Sequence, residues 1–198
     1  MLATSRTMAV LTCCWTLGAA SVARGYSSGA GACTYPNAGW TQMGGGRMGN
    51  GGFVLSVQDG AGAVSRYQPG RGYVVQITNA VAYKGFLLQS VQGEPGSPGV
   101  NGVGIFGWAD STLYAHGPCA TRPASVTHTF SRVLAPRTSD TFTWTAPTAG
   151  TGPVTFHLVR VISQYFWYGH SDLITMTLTE AVTALSPLSW MGIKMLYR

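Results

Sequence analysis

From Tyr73 to Thr78 the chain alternates residue by residue. Tyr73, Val75 and Ile77 fall on one side of an extended backbone and Val74, Gln76 and Thr78 on the other. The same two-residue beat returns at Phe86 and Leu88 against Leu87 and Gln89, and at Val126, His128 and Phe130 among Ser and Thr neighbours. It recurs at Phe142 and Trp144 between threonines, and at Ile174, Met176 and Leu178 against Thr175, Thr177 and Thr179. Turn formers separate these runs: Asp59-Gly60, Pro69-Gly70, the Gly- and Pro-rich stretch 93–102, and residues 148–153. The longest apolar run, 154–168, is apolar on both sides in places and reads as a central strand. Eight or nine short strands, with no amphipathic helix of useful length, predict an all-β chain folded as an antiparallel sandwich.

Charge excludes the main alternatives. Only 9% of residues are charged, against a typical quarter, so solvated helix faces, a coiled coil and charge-rich disorder are all ruled out. The net charge is +6, yet no run of basic residues announces nucleic-acid binding. Arginines gathered by folding onto one face would attract acidic glycans or phospholipid headgroups.

Residues 1–25 read as an address. Arg6 precedes an uncharged apolar stretch over residues 8–23, and small residues at Ser21, Ala23 and Gly25 offer cleavage after Ala23 or Gly25. That layout is a secretory signal peptide, and no later run is apolar and long enough for a membrane span. A mitochondrial presequence is the rival reading, but the two arginines flank the apolar block instead of lining a helix face. Export leaves Cys33 and Cys119, and two cysteines in an oxidising compartment suggest one disulfide, stabilising by roughly 4 to 5 kcal/mol through the long loop it closes. Two unpaired buried thiols are the alternative. The expected organisation is a signal peptide (1–25), a Gly-rich leader (26–52), a β-sandwich (53–180) and a C-terminal tail (181–198).

Several ordered motifs carry a family resemblance. Tyr67-Gln68-Pro69-Gly70 leads to Tyr73, Val75 and Ile77, and Tyr83-Lys84-Gly85-Phe86-Leu87-Leu88-Gln89 follows. Then come Cys119 with Thr127-His128, Phe142 and Trp144 with Ala146-Pro147, Gly152 with Val154 and Phe156, and finally Trp167. In that order they resemble the reeler domain, found in reelin, in spondin-type matrix proteins and in small secreted insect defence proteins; the match runs from Cys33 to about residue 178. The resemblance implies an immunoglobulin-like sandwich with a cystine between leader and interior, matching Cys33 and Cys119. After the first cysteine, Thr34, Tyr35 and Pro36 stand where the family usually has a Met-x-Pro-x-His segment. The family also includes the outer portion of ferric-chelate-reductase-like membrane proteins, whose haem-binding and membrane portions have no counterpart here, so the resemblance implies no redox activity and no cofactor is expected.

Catalytic patterns are weak. His116, His128, His157 and His170 follow no zinc spacing, and His128 reads as a hydrogen-bonded core residue. Asp59, Glu94, Asp110, Asp140, Asp172 and Glu180 each fall in or beside an expected turn, which suits turn capping better than paired acid–base chemistry. No spacing favours a Ser-His-Asp triad. The expectation is therefore a secreted, non-enzymatic recognition or adhesion module for glycans, microbial surfaces or extracellular proteins. Its candidate ligand residues are Trp108, Arg122, Trp167 and Tyr168, with no metal site. The alternative is a structural subunit of a larger assembly that docks through its aromatic strand and the apolar tail from Trp190 to Tyr197.

Overall fold

The computed structural model describes residues 29–30, 46–93, 101–117, 123–163, 166–168 and 174–181. Its strands are β1 (Val54–Asp59), β2 (Gly62–Ala63), β3 (Arg66–Tyr67), β4 (Gly72–Tyr83), β5 (Gly85–Gln92), β6 (Ile105–Gly107), β7 (Tyr114–His116), β8 (Ser125–His128), β9 (Arg137–Thr145), β10 (Val154–Ser163), β11 (Phe166–Tyr168) and β12 (Ile174–Glu180). A five-residue helix, α1 (Phe130–Leu134), joins β8 to β9. One sheet runs β2-β1-β4-β9-β6. The other runs β3-β12-β10-β5-β8-β7, with β11 also paired to β10. The chain is thus the expected all-β two-sheet sandwich, with more and shorter strands than eight or nine among the described residues.

The alternation decides which side chains meet between the sheets. Val57, Val75, Ile77, Phe142 and Trp144 come from one sheet, and Phe86, Leu88, Val126, Phe156, Leu158 and Leu178 from the other. Each large side chain so buried stabilises the fold by roughly 1.5 to 3 kcal/mol. Rings interlock across the gap: Phe156 meets Trp144 edge-on at 4.9 Å and Phe106 at 6.2 Å between centroids. The buried indole N–H of Trp144 donates to Ser90 Oγ at 3.1 Å, and that hydroxyl donates to the Val103 carbonyl at 2.6 Å. Gly104 passes directly over the indole at φ +76°, where a Cβ would stand 2.4 Å from Trp144 Nε1.

Four local expectations are corrected. The run 154–168 is not one strand: β10 ends at Ser163 and β11 returns antiparallel to it, with a register shift between Val161 and Ser163. β10 itself is central, between β12 and β5. Phe130 does not continue the β8 face; it starts α1 and is 53% exposed, while His128 and Val126 are buried. Asp140 lies inside β9 and is fully enclosed, not at a turn. The sandwich also contains a parallel strand pair, β3 against β12, so it is not antiparallel throughout.

Because the ladders are antiparallel, β4, β8 and β10 finish where β1, β5 and β9 begin. α1 sits at that end. Lys84 links the two sheets there, its N–H donating to the Val161 carbonyl at 2.9 Å.

Candidate functional site

The β10–β11 hairpin builds a patch at the α1 end. Side chains of β11 alternate, so Trp167 and its two neighbours point to opposite faces. Trp167 is fully buried with Leu87 and Val159 in a second, smaller cluster on the outer face of its sheet. Phe166 and Tyr168 are half-buried and meet edge-on at 5.6 Å. Arg47 is exposed, and its guanidinium lies 4.7 Å from the Phe166 ring centre, a cation–π distance. Its position is fixed by the backbone: Arg47 N–H donates to the Trp167 carbonyl at 2.8 Å.

Beneath this pair lies a second guanidinium. Arg160 occupies the core-facing register of β10 and is fully buried between Phe53 and Tyr168, 5.6 and 5.5 Å from their ring centres. It donates to the carbonyls of Gly49 at 3.1 Å and Leu158 at 3.2 Å. The glycine turn 49–52 lies flat on this assembly, since a Cβ on Gly51 would stand 2.4 Å from the Tyr168 ring. Two cations and three rings therefore converge, and Arg47 has no carboxylate partner among the described residues.

A buried ion pair holds the adjacent helix. Arg132 of α1 donates from Nε to Asp140 Oδ1 at 3.0 Å and from Nη2 to Oδ2 at 2.7 Å, with both side chains fully buried. Its Nη1 donates to the Tyr83 carbonyl at 2.8 Å, its plane stacks 4.8 Å from the Tyr83 ring, and Tyr114 donates its hydroxyl to Asp140 at 2.6 Å. Burial works against the guanidinium charge, but the hydrogen bonds and charge of Asp140 outweigh it and raise the Arg132 pKa. Burial, reinforced by Asp140, likewise pushes the Tyr83 and Tyr114 hydroxyls well above their ordinary value.

The sequence candidates are dispersed. Tyr168 belongs to the patch; its neighbour Trp167 turns away and has no solvent face. Trp108 is half-buried beyond β6 in the other sheet, edge-on to His116 at 4.7 Å. Arg122, Cys33, Cys119 and the segment from Trp190 to Tyr197 lie outside the described residues. His128 is buried, its Nδ1 3.1 Å from both the N–H and the carbonyl oxygen of Phe86. Asp59 and Asp110 cap turns, accepting from the N–H groups of Ala61 at 2.8 Å and Thr112 at 2.9 Å. Glu180 accepts from Gly150 and Gly152, both at 2.8 Å. Sequence reasoning missed Arg47 and Arg160. The available signal for Arg160 was an arginine in the even, core-facing register of the β10 run.

The sequence model of the Reeler domain matches residues 56–182, well over half of the chain. The chain belongs to the reeler family. Solved structures similar to it include reeler domains. The human F-spondin reeler domain (fragment 1) shares 26% identity at a TM-score of 0.55, with 70% of this chain and 96% of that one covered. The Reelin-N domain of F-spondin shares 26% at 0.53, covering 71% and 94%. A second fragment of the human F-spondin domain gives 26% and 0.52, covering 68% and 91%. No curated protein matches the chain. As a reeler domain it is an extracellular adhesion- or recognition-type module, from a family of non-enzymatic matrix domains.

Proposed function

We propose that this reeler domain is a secreted recognition module that binds acidic glycans, on microbial surfaces or in extracellular matrix, through the patch of Arg47, Phe166 and Tyr168. The observation that carries this reading is the exposed Arg47 guanidinium stacked on Phe166 and lacking a carboxylate partner among the described residues. A sugar carboxylate or sulfate can approach such a cation without displacing an internal salt bridge, and the neighbouring rings offer apolar faces for a pyranose. Buried Arg160 below adds positive potential without costing the surface its aromatic character. Of the described sequence candidates, Tyr168 belongs to this binding surface, whereas Trp108 does not.

Export through a signal peptide at 1–25, a leader at 26–52 and a domain at 53–180 accord with an extracellular role. A Cys33–Cys119 bridge fits the same picture. The Ala30 N–H donates to Thr127 Oγ1 at 3.0 Å and the Gly117 N–H to the Ser125 carbonyl at 3.4 Å, so both approaches to the cysteines meet β8 two residues apart. Cys33 follows Ala30 by three residues and Cys119 follows Gly117 by two, so a bridge between them would span no more chain than those short stretches supply.

The test is titration of the purified chain with a heparin-derived oligosaccharide at increasing salt, where screening weakens charge attraction. Binding that fades with salt and drops at least tenfold in Arg47→Glu/Phe166→Ser supports the proposal. Absence of binding, or binding indifferent to that variant, removes it.

A further inference from the structure

Helix α1 is amphipathic the wrong way round for a soluble protein. Its charged residue, Arg132, is fully buried, while Phe130 and Leu134, one turn apart on the same face, are 53% and 69% exposed. The Arg132–Asp140 pair makes this orientation obligatory, because rolling the helix to cover its apolar face would tear a bidentate buried ion pair apart. Two exposed basic residues flank this rim: Lys84 follows Tyr83 and Arg137 opens β9. One exposed carboxylate, Asp110, lies near Arg137 and accepts from the Thr112 N–H and hydroxyl in its own turn, so the basic side chains outnumber it by two to one.

We infer that the α1 end of the molecule docks on an anionic lipid bilayer, with Phe130 and Leu134 entering the headgroup region and Lys84 and Arg137 pairing with lipid phosphates and carboxylates. Charge complementarity selects this occupant. A projecting apolar pair ringed by cations suits a bilayer interface, which accepts apolar side chains below its headgroups and attracts basic ones above. A second copy of this chain would bring the same cations face to face. The inference stands on residues other than those of the glycan patch and does not depend on it.

The experiment is co-sedimentation of the full chain with sucrose-loaded vesicles of phosphatidylcholine alone or with 30% phosphatidylserine, a probe mixture of roughly physiological surface potential. Salt-sensitive binding to the anionic vesicles is expected, with at least a tenfold loss in Phe130→Ser/Leu134→Ser and in Lys84→Glu/Arg137→Glu. All four side chains are exposed, and an unchanged near-UV circular dichroism spectrum establishes that each variant is folded. No binding, equal binding to both vesicles, or full binding by the serine variant overturns the inference. A concentration-dependent dimer abolished by the serine variant overturns it in favour of self-association. Oligosaccharide binding through Arg47 without vesicle binding sinks only this inference, and vesicle binding without oligosaccharide binding sinks only the glycan reading.

Discussion

Replacing Arg132 by alanine removes two hydrogen bonds to a carboxylate that has no solvent to turn to, and also deprives the Tyr83 carbonyl of its donor and its ring of a stacked cation. The Tyr114 hydroxyl remains on Asp140. Breaking one side of a buried pair costs about 3 to 5 kcal/mol, a large share of the roughly 5 to 15 kcal/mol that stabilises a domain. For a chain of this size that corresponds to a fall in Tm of roughly 6 to 20 °C. The internal control is Arg71→Ala: Arg71 meets Asp59 at 3.5 Å with its side chain 46% exposed, so its loss costs under about 1 kcal/mol. Urea unfolding followed by tryptophan fluorescence measures both. The double variant Arg132→Met/Asp140→Leu is expected to recover most of the loss, since it leaves no unpaired charge. If Arg132→Ala costs no more than Arg71→Ala, the pair does not hold α1, and the reasoning about the orientation of that helix fails with it.

Gly104→Ala forces a Cβ into the Trp144 indole at a positive φ and is expected to destabilise by about 2 kcal/mol or more, read as a lowered urea midpoint. Burial, with the charge of Glu180 adding to it, pushes the Tyr67 hydroxyl up to about 12. Its proton is therefore held more tightly in the folded state, and the stability it confers, complete below pH 10, declines as pH rises from 10 to 12; absorbance titration of wild type against Tyr67→Phe checks this. The N–H groups of Gly150 and then Gly152 hold Glu180 below the usual carboxylate range, so its contribution is present above the unfolded-state value and is lost as pH falls through the folded one. Unfolding midpoints measured from pH 6 to pH 3 should fall less steeply in Glu180→Gln. Burial alone depresses His157, so its imidazole should remain neutral below its ordinary value in an NMR titration, and stability should decline as pH falls from that value toward the folded one.

Much of the sandwich was legible because a half-buried sheet writes its period into the chain. Tyr73, Val75 and Ile77, and then Phe142 and Trp144, face the core as their alternation predicts. What escaped the pattern was set by tertiary context. The 154–168 run hid a hairpin because residues buried on both faces carry no alternation, and the outer-face cluster of Leu87, Val159 and Trp167 supplies the second burial. Phe130 fitted the β8 period, yet the chain turns into α1 one residue earlier, where Arg132 finds Asp140. No local rule links those two, since their pairing depends on a helix and a strand start meeting. The patch was half legible: Tyr168 was named from aromatic density, but Arg47 reaches Phe166 from a Gly-rich segment without any periodicity. Trp167 was misjudged in accessibility because strand alternation alone says that neighbours part company, not which of them is covered.

Backbone amide shift mapping by NMR, during titration with an acidic oligosaccharide, tests the recognition account most directly. The largest shifts should fall on Arg47, the turn 49–52, Phe166 and Tyr168, with α1 and the threonine face of β9 unmoved. Shifts centred on Trp108 and His116, or spread across Thr141, Thr143 and Thr145, would contradict it.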